Sequence, residues 1–257
     1  MIRVIFFDVD GTLVSHTQHA VPAGVESALD RLSEKGILRV VATGRHLQEL
    51  PQLPVHSIRF DAYITLNGQL CLDSQGNILF SNPISGEGRE ALLHLFRERR
   101  FPVMLVEKDR MYISFVDPYV EAAQTAVSSP VPELGEYTGG EIYQAVVYLD
   151  RACEREVMQR LPGCRATRWN EHAVDLIAAS DGKADGIREY LRVMGIAREE
   201  TMAFGDGLND LEMLRLVQIG VAMGNAEDAV KTAADYVTAS VDDGGIPKAL
   251  RALGILP

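Results

Sequence analysis

Two aspartates, Asp8 and Asp10, lie one residue apart at the end of a short apolar run, just before Gly11-Thr12. Carboxylates this close repel each other, and a shared proton, a bound cation, or both relieve the repulsion. A hard divalent cation such as Mg2+ suits the task, because it takes oxygen ligands and binds through one or two carboxylates together with phosphate oxygens. One carboxylate can then attack a phosphoryl group to form an aspartyl phosphate while the other handles a proton. Asp10-Gly11-Thr12 also reads as a plain turn, since Asp-Gly after a strand is a common turn signal. Phosphoryl chemistry therefore requires partners elsewhere in the chain.

Three later segments offer them. Gly205-Asp206-Gly207-Leu208-Asn209-Asp210 follows an apolar run and precedes a helical pattern, with Asp206 and Asp210 at a spacing that puts them near one helix face. So many acidic and amide side chains are poor core material, and a metal site accounts for them better than a cluster of helix caps. Thr43-Gly44 can present a hydroxyl and a backbone N–H to phosphate oxygens, although taken alone it reads better as a turn or N-cap. Lys183 opens a helix, where the dipole disfavours a cation, so an anionic partner is expected; a solvated lysine is the ordinary alternative.

The elements that must position these groups follow a βα alternation. Residues 2–7 form a Val/Ile/Phe-rich run that reads as a strand buried on both faces of a parallel sheet. Ligand sites in such sheets lie beyond the carboxyl ends of the strands, and the period of two sends Asp8 and Asp10 to the same side if the strand continues that far. A helix is predicted near 22–35 and a second strand over 37–42, which together make a βαβ unit with a right-handed crossover. A strand at 62–66 and a hairpin over 69–80, turning at 73–77, follow. Between about 84 and 180 the pattern changes to a basic helix (90–100), a hairpin (102–115) and strands near 142–149 and 173–178, the mixture of a separate α+β domain. From Lys183 the alternation resumes with a helix, a strand at 201–204, a helix from Leu208, a strand near 217–222 and a short helix near 227–234.

Composition bounds the function. The chain has 257 residues, 47% of them hydrophobic, enough for one elaborate domain or two smaller ones, and two are favoured. The net charge of -11 opposes nonspecific attraction to nucleic acid or anionic membrane, so a phosphorylated substrate must be drawn by local positive charge. No apolar run reaches the roughly 18 residues of a membrane span, and the N-terminus enters a strand at once, which points to a cytoplasmic protein. Cys71, Cys153 and Cys164 are widely spaced and form no CxxC pattern, which fits ordinary reduced thiols.

With these residues in view, the chain resembles the phosphatases of the haloacid dehalogenase superfamily, specifically the Cof-type branch with a large α/β cap. The four superfamily motifs occur in order: Asp8-Val9-Asp10-Gly11-Thr12, Thr43-Gly44-Arg45, Lys183 and Gly205-Asp206-Gly207-Leu208-Asn209-Asp210. One departure is Gly182-Lys183-Ala184, where branch members often carry Ser-Lys-Gly. The resemblance implies a Rossmann-like parallel-sheet core over 1–82 and 181–257, and an inserted α+β cap over 83–180 that excludes water and sets substrate specificity. It implies Asp8 as nucleophile and Mg2+ ligand, Asp10 as general acid/base and metal ligand through its backbone carbonyl, and Asp206 as the remaining protein ligand, with Asp210 adjacent. Thr43, the Val9 and Gly44 amides, Lys183 and Asn209 would hold the phosphate, and Arg45 and Asn67 would lie near the substrate, a salt bridge or a turn amide being equal alternatives for those two.

The expected activity is Mg2+-dependent hydrolysis of a small phosphorylated metabolite, with sugar phosphates first and flavin or pyridoxal phosphates next, by a monomer or weak homo-oligomer. A phosphomutase or phosphotransferase, and a non-catalytic phosphate-binding regulatory protein, are the competing readings. Trp169 and His172 read as core and structural residues and are not assigned to the site.

Overall fold

The structure, a computed structural model, describes residues 1–127, 129–179 and 182–257. The chain divides into two compact units, one made of residues 1–80 and 181–257 and the other of residues 81–180. The expected return from insertion to core, at 180–181, falls on residues outside those described. Among the described residues no helix is long and apolar enough to cross a membrane.

The first unit starts with β1 (Val4–Phe7), α1 (Val25–Glu34), β2 (Leu38–Ala42) and β3 (Ala62–Thr65), then β4 (Leu70–Asp73) and β5 (Ile78–Ser81). All four residues of β1 are fully buried, as a strand covered on both faces requires. Burying side chains of this size stabilises the fold by roughly 1.5–3 kcal/mol each. In α1, Val25, Leu29 and Leu32 face inward at helical spacing. The expected strand at 62–66 ends one residue early, because Leu66 and Asn67 turn left-handed (φ 53° each) and Gly68 follows at φ 90°.

The second unit holds α2 (Gly86–Glu98), β6 (Val103–Val106), β7 (Met111–Ile113), α3 (Pro118–Ala126), β8 (Gln144–Tyr148), α4 (Arg151–Gln159), β9 (Cys164–Asn170) and β10 (Ala173–Ala178). Its sheet runs β7-β6-β8-β10-β9 with antiparallel pairing. Leu92 and Phe96 of α2 and Val157 of α4 pack with Leu105, Val147 and Leu176 of the sheet, whereas Val120 and Ala123 of α3 pack with Ile113, Val146 and Tyr148. Sequence reading places neither α3, α4 nor β9. The expectation of a core Trp169 is also wrong: it is 38% exposed, because it sits on β9, the edge strand. His172 stacks on Tyr119 with ring centroids 4.5 Å apart.

The chain returns to the first unit with α5 (Lys183–Met194), β11 (Thr201–Gly205), α6 (Leu211–Leu216), β12 (Ile219–Ala222), α7 (Asp228–Ala233), β13 (Tyr236–Val237) and α8 (Gly245–Ala252). The sheet order is β13-β12-β11-β1-β2-β3-β4-β5, parallel from β13 to β3 and antiparallel between β3 and β4. Alternate residues of β1 serve opposite faces. Ile5 and Phe7 pack with α1 and α8, and Val4 and Phe6 pack with α5, α6 and α7. Phe7 stacks on Phe204 of β11 at 5.4 Å. Instead of a helix from Leu208, residues Leu208–Asp210 make a 3-10 turn before α6.

The start of α5 lies against the turn after β3. A Cβ on Gly68 would come within 2.2 Å of the Gly182 carbonyl oxygen, and one on Gly186 within 2.9 Å of Gly68 Cα. Gly68→Ala combines that clash with a left-handed backbone, so it should destabilise the protein by about 2 kcal/mol or more, read as a shifted denaturant midpoint. A midpoint within error of wild type would show that this contact does not fix the start of α5.

Candidate active site

Because β1, β2 and β11 are parallel neighbours, their carboxyl ends open on one sheet edge. Asp8 follows β1 directly, and its N–H donates to the Phe204 carbonyl at 3.0 Å, extending the pairing by one residue. Its side chain is nearly buried and meets Lys183, the first residue of α5, at 2.6 Å between Oδ1 and Nζ. Lys183 also lies 2.6 Å from Asp210 Oδ1, and its own exposure is 1%. Asp210 is fully buried; its second oxygen accepts the N–H groups of Asp206 (2.9 Å) and Gly207 (3.0 Å) and so folds the 3-10 turn. Lys183 thus has its anionic partners inside the protein.

The electrostatics follow from this crowding. Burial pushes the Asp8 carboxyl well above the usual carboxylate range; Lys183 opposes the shift, and Asp210, Asp206 and Asp10 add to it. Burial works against the Lys183 charge, but Asp210 and Asp8 outweigh it and leave its pKa raised. Asp206, at the end of β11, is pushed up to about 7 by burial and then by Asp210, with the Thr12 hydrogen bond pulling the other way.

Asp206 is held on both oxygens. Thr12 Oγ1 donates to Oδ1 at 3.0 Å and Asn225 Nδ2 to Oδ2 at 3.1 Å. Asn225 Nδ2 also reaches the Gly11 carbonyl at 2.9 Å, while its Oδ1 accepts the Val241 N–H at 2.8 Å. Gly11 has φ 80°, and a Cβ there would lie 2.1 Å from Asp206 Oδ2, so only glycine permits the two loops to meet. Carboxylate oxygens of Asp8, Asp206 and Asp210 all lie within 4.8 Å of one another, an all-oxygen group that could hold a metal ion.

Asp10 is held differently. Its carboxylate accepts from Arg45 Nε at 2.7 Å and from Nη2 at 2.9 Å. Its partner is thus a cation from the loop after β2, and its carboxylate is not among the three that crowd together. Thr43 is buried and its hydroxyl accepts the Arg45 N–H at 3.1 Å. Gly44 lies close to Asn67, which would be 3.0 Å from a Cβ at that position. Asn209 Nδ2 donates to Asn67 Oδ1 at 3.1 Å. Val9 turns its side chain into the core beside α1, and its carbonyl accepts the N–H groups of Leu13 (2.9 Å) and Val14 (2.8 Å).

The structure therefore gathers Asp8, Asp206, Asp210 and Lys183 into one cluster, with Asp10 and Arg45 as a second pair. Thr12, Glu49 and Asn225 join the network without having been singled out in the sequence. Asn225 carried a usable signal, an amide in a Gly-Asn turn just beyond β12.

Replacing Lys183 with methionine would leave Asp8 and Asp210 buried without their shared cation. A stability loss of about 3–5 kcal/mol is expected near neutral pH, measured by denaturant unfolding. The Asp8 carboxyl, already raised by burial, would be shifted further up without the ammonium, and a carboxyl whose folded pKa is raised contributes stability at low pH that is lost as pH rises. The gap from wild type should therefore narrow as pH falls from about 8 to about 5; a gap that stays constant would refute the ion-pair account.

Comparison with known proteins gives the family of this chain. The family model for haloacid dehalogenase-like hydrolases matches residues 5–250. The Bacillus subtilis protein YkrA, a phosphatase by name, is 32% identical over 261 residues, covering 99% of this chain and 98% of that protein. A phosphatase of the haloalkanoate enzyme superfamily from Bacteroides thetaiotaomicron superposes with a TM-score of 0.91 at 35% identity, covering 100% of this chain and 96% of the other. A subclass IIB sugar phosphatase superposes with a TM-score of 0.86 at 34% identity, over 99% of this chain and 100% of the other. The match across nearly the whole chain and the agreement in fold make this chain a member of the haloacid dehalogenase-like hydrolase family, in its Cof-type branch, and a phosphoric monoester hydrolase.

Proposed function

We propose that the protein is a Mg2+-dependent phosphatase of small phosphomonoesters, with sugar phosphates as its substrate class, working through an aspartyl phosphate on Asp8. The observation that carries the reading is the buried Asp8 carboxylate at the end of β1, held 2.6 Å from Lys183 beside two further carboxylates. Lys183 favours the ionised form of Asp8 against the effect of burial and offsets its repulsion for an incoming phosphate. The full-length likeness to a sugar phosphatase supports the substrate class, and selectivity among sugar phosphates is assigned to residues 83–180.

The residues present suit a divalent cation. Four carboxylates, from Asp8, Asp10, Asp206 and Asp210, have two basic side chains as direct partners, Lys183 and Arg45. An excess of negative charge remains on oxygen-only donors, the environment Mg2+ prefers. Asp8, Asp206 and the backbone carbonyl of Asp10 would hold the ion, with Asp210 adjacent. When bound, Mg2+ supplies charge stabilisation for the transferring phosphoryl group. Thr43, Asn209 and the Val9 and Gly44 amides are assigned to its oxygens, Asn67 to the neighbouring substrate atoms. Asp10 donates a proton to the leaving oxygen and then removes one from the attacking water.

Asp8→Asn removes the nucleophile while preserving size, and turnover of p-nitrophenyl phosphate and of a sugar-phosphate panel should drop by at least about three orders of magnitude. Wild-type rates in that variant would exclude the aspartyl phosphate. Phosphate release without an added acceptor alcohol separates hydrolysis from phosphoryl transfer to a sugar.

Metal binding should depend on pH through Asp206. Its carboxyl titrates at about 7 in the metal-free protein against about 3.9 unfolded. The raised value means that its contribution to stability is present below about pH 4 and is lost as pH rises to about 7. A ligand must be deprotonated, so the rise in Tm produced by Mg2+ should grow between about pH 6 and pH 8. Asp206→Asn should remove most of that growth; an unchanged Mg2+ response in the variant would eliminate Asp206 as a ligand.

A further inference from the structure

We propose that Arg45, braced by Glu49, is the positioning residue that fixes the Asp10 carboxylate for both of its proton transfers; this rests on the reading of Asp10 as general acid/base. β1 and β2 are adjacent and parallel, with Phe7 paired to Val41, so the loops that follow them emerge side by side. The backbone of each is pinned before the side chains meet. Gly11 N–H donates to the Val14 carbonyl at 2.8 Å, closing the turn beside Asp10, and the Arg45 carbonyl accepts the Leu66 N–H at 3.2 Å.

The guanidinium then takes both carboxylate oxygens of Asp10, through Nε at 2.7 Å and Nη2 at 2.9 Å. Its remaining terminal nitrogen, Nη1, lies 3.5 Å from Glu49 Oε1. Glu49 is itself anchored, since Oε2 accepts the His46 N–H at 2.8 Å at the start of a 3-10 turn. Arg45 is largely buried, with its side chain 17% exposed. A two-point fork fixes the plane of a carboxylate, which a single lysine contact cannot do. Free rotation of Asp10 about Cβ–Cγ is therefore stopped by a chain that ends on the backbone of His46.

Orientation matters because Asp10 acts twice. In the first step a bond forms from Asp8 to phosphorus, the bond from phosphorus to the leaving oxygen breaks, and that oxygen receives a proton from Asp10. In the second, water oxygen bonds to phosphorus, the bond to Asp8 breaks, and Asp10 takes the water proton. The need for the first transfer depends on the leaving group: p-nitrophenolate departs readily without a proton, whereas phenolate is a far poorer leaving group.

The test compares kcat/KM of the full-length enzyme with p-nitrophenyl phosphate and phenyl phosphate. Arg45→Met should reduce kcat/KM for phenyl phosphate about 10- to 100-fold while changing that for p-nitrophenyl phosphate by about threefold or less. Retained activity on the activated ester also shows that the variant is folded. Arg45→Lys should fall between wild type and Arg45→Met, and adding Arg45→Met to Asp10→Asn should cause no further loss on phenyl phosphate. An equal loss on both esters, the pattern of a phosphate-binding or purely structural arginine, overturns the proposal. So does a double variant in which the two losses multiply. If Asp10→Asn alone shows no dependence on the leaving group, the acid/base reading fails and the role of Arg45 fails with it.

Discussion

Four carboxylates share one sheet edge, and the first unit is organised around making that tolerable. Two of them, Asp8 and Asp210, are buried and share the ammonium of Lys183. A third, Asp206, is tied down by neutral donors from Thr12 and Asn225, and the fourth, Asp10, takes the guanidinium of Arg45. Removing Lys183 from such a set leaves uncompensated buried charge, which is far more destabilising than the net worth of an ion pair suggests. The oxygens of Asp8, Asp206 and Asp210 form a group that could hold a metal ion, so the stability of the metal-free fold and any affinity for metal would be set by the same groups.

Placing Lys183 is the demanding part. A lysine at the first position of a helix is opposed by the helix dipole and by burial, and both penalties are met here by two carboxylates. The helix can deliver its ammonium only if its first turn lies directly against the backbone after β3. Gly68 and Gly186 allow that approach, while Ile187 and Tyr190 of α5 anchor the next turns against Phe6 and Ile64. The T-shaped contact of Phe6 with Tyr190, at 5.9 Å between ring centroids, links the same strand that ends at Asp8 to the helix that begins at Lys183. Core packing and charge placement are therefore one geometric problem, and a rigid core serves as the preorganisation of the site.

Much of this was legible in the sequence because the core strands are short, apolar and followed at once by polar residues. The positions of β1, β2, β3 and β11 follow from their hydrophobic runs, and the acidic motif after β11 announces itself by composition. What was not legible is what depends on partners distant in sequence. Nothing in Asp206 to Asp210 says that Asp210 is spent on backbone N–H groups and Lys183, or that this turns the segment into a 3-10 turn. The sequence places Arg45 near the substrate or in a salt bridge without naming its partner, Asp10, which lies 35 residues away. In the second unit, α4 has a single buried residue, Val157, and β9 is an edge strand of half-buried residues, so neither carries the periodicity that reveals an element. α3 is different: Asp117 caps it and Pro118 opens it, and both signals stand in the sequence.

The two aspartates of the first motif look alike in sequence and end in opposite environments. Asp8 directly continues a strand that is buried on both faces, so its carboxylate is desolvated and must lean on Lys183. Asp10 lies just before the turn at Gly11, with its side chain 33% exposed and its partner a forked cation rather than a point charge. These environments suit different chemistry. A nucleophile gains from being stripped of water and fixed on one line of approach, whereas a group that must meet a leaving oxygen and later a water molecule gains from lying at the rim in a set orientation. The asymmetry arises from where β1 ends, because Asp8 still pairs with β11 through its N–H to the Phe204 carbonyl, whereas Asp10 is held by a side chain from the loop after β2.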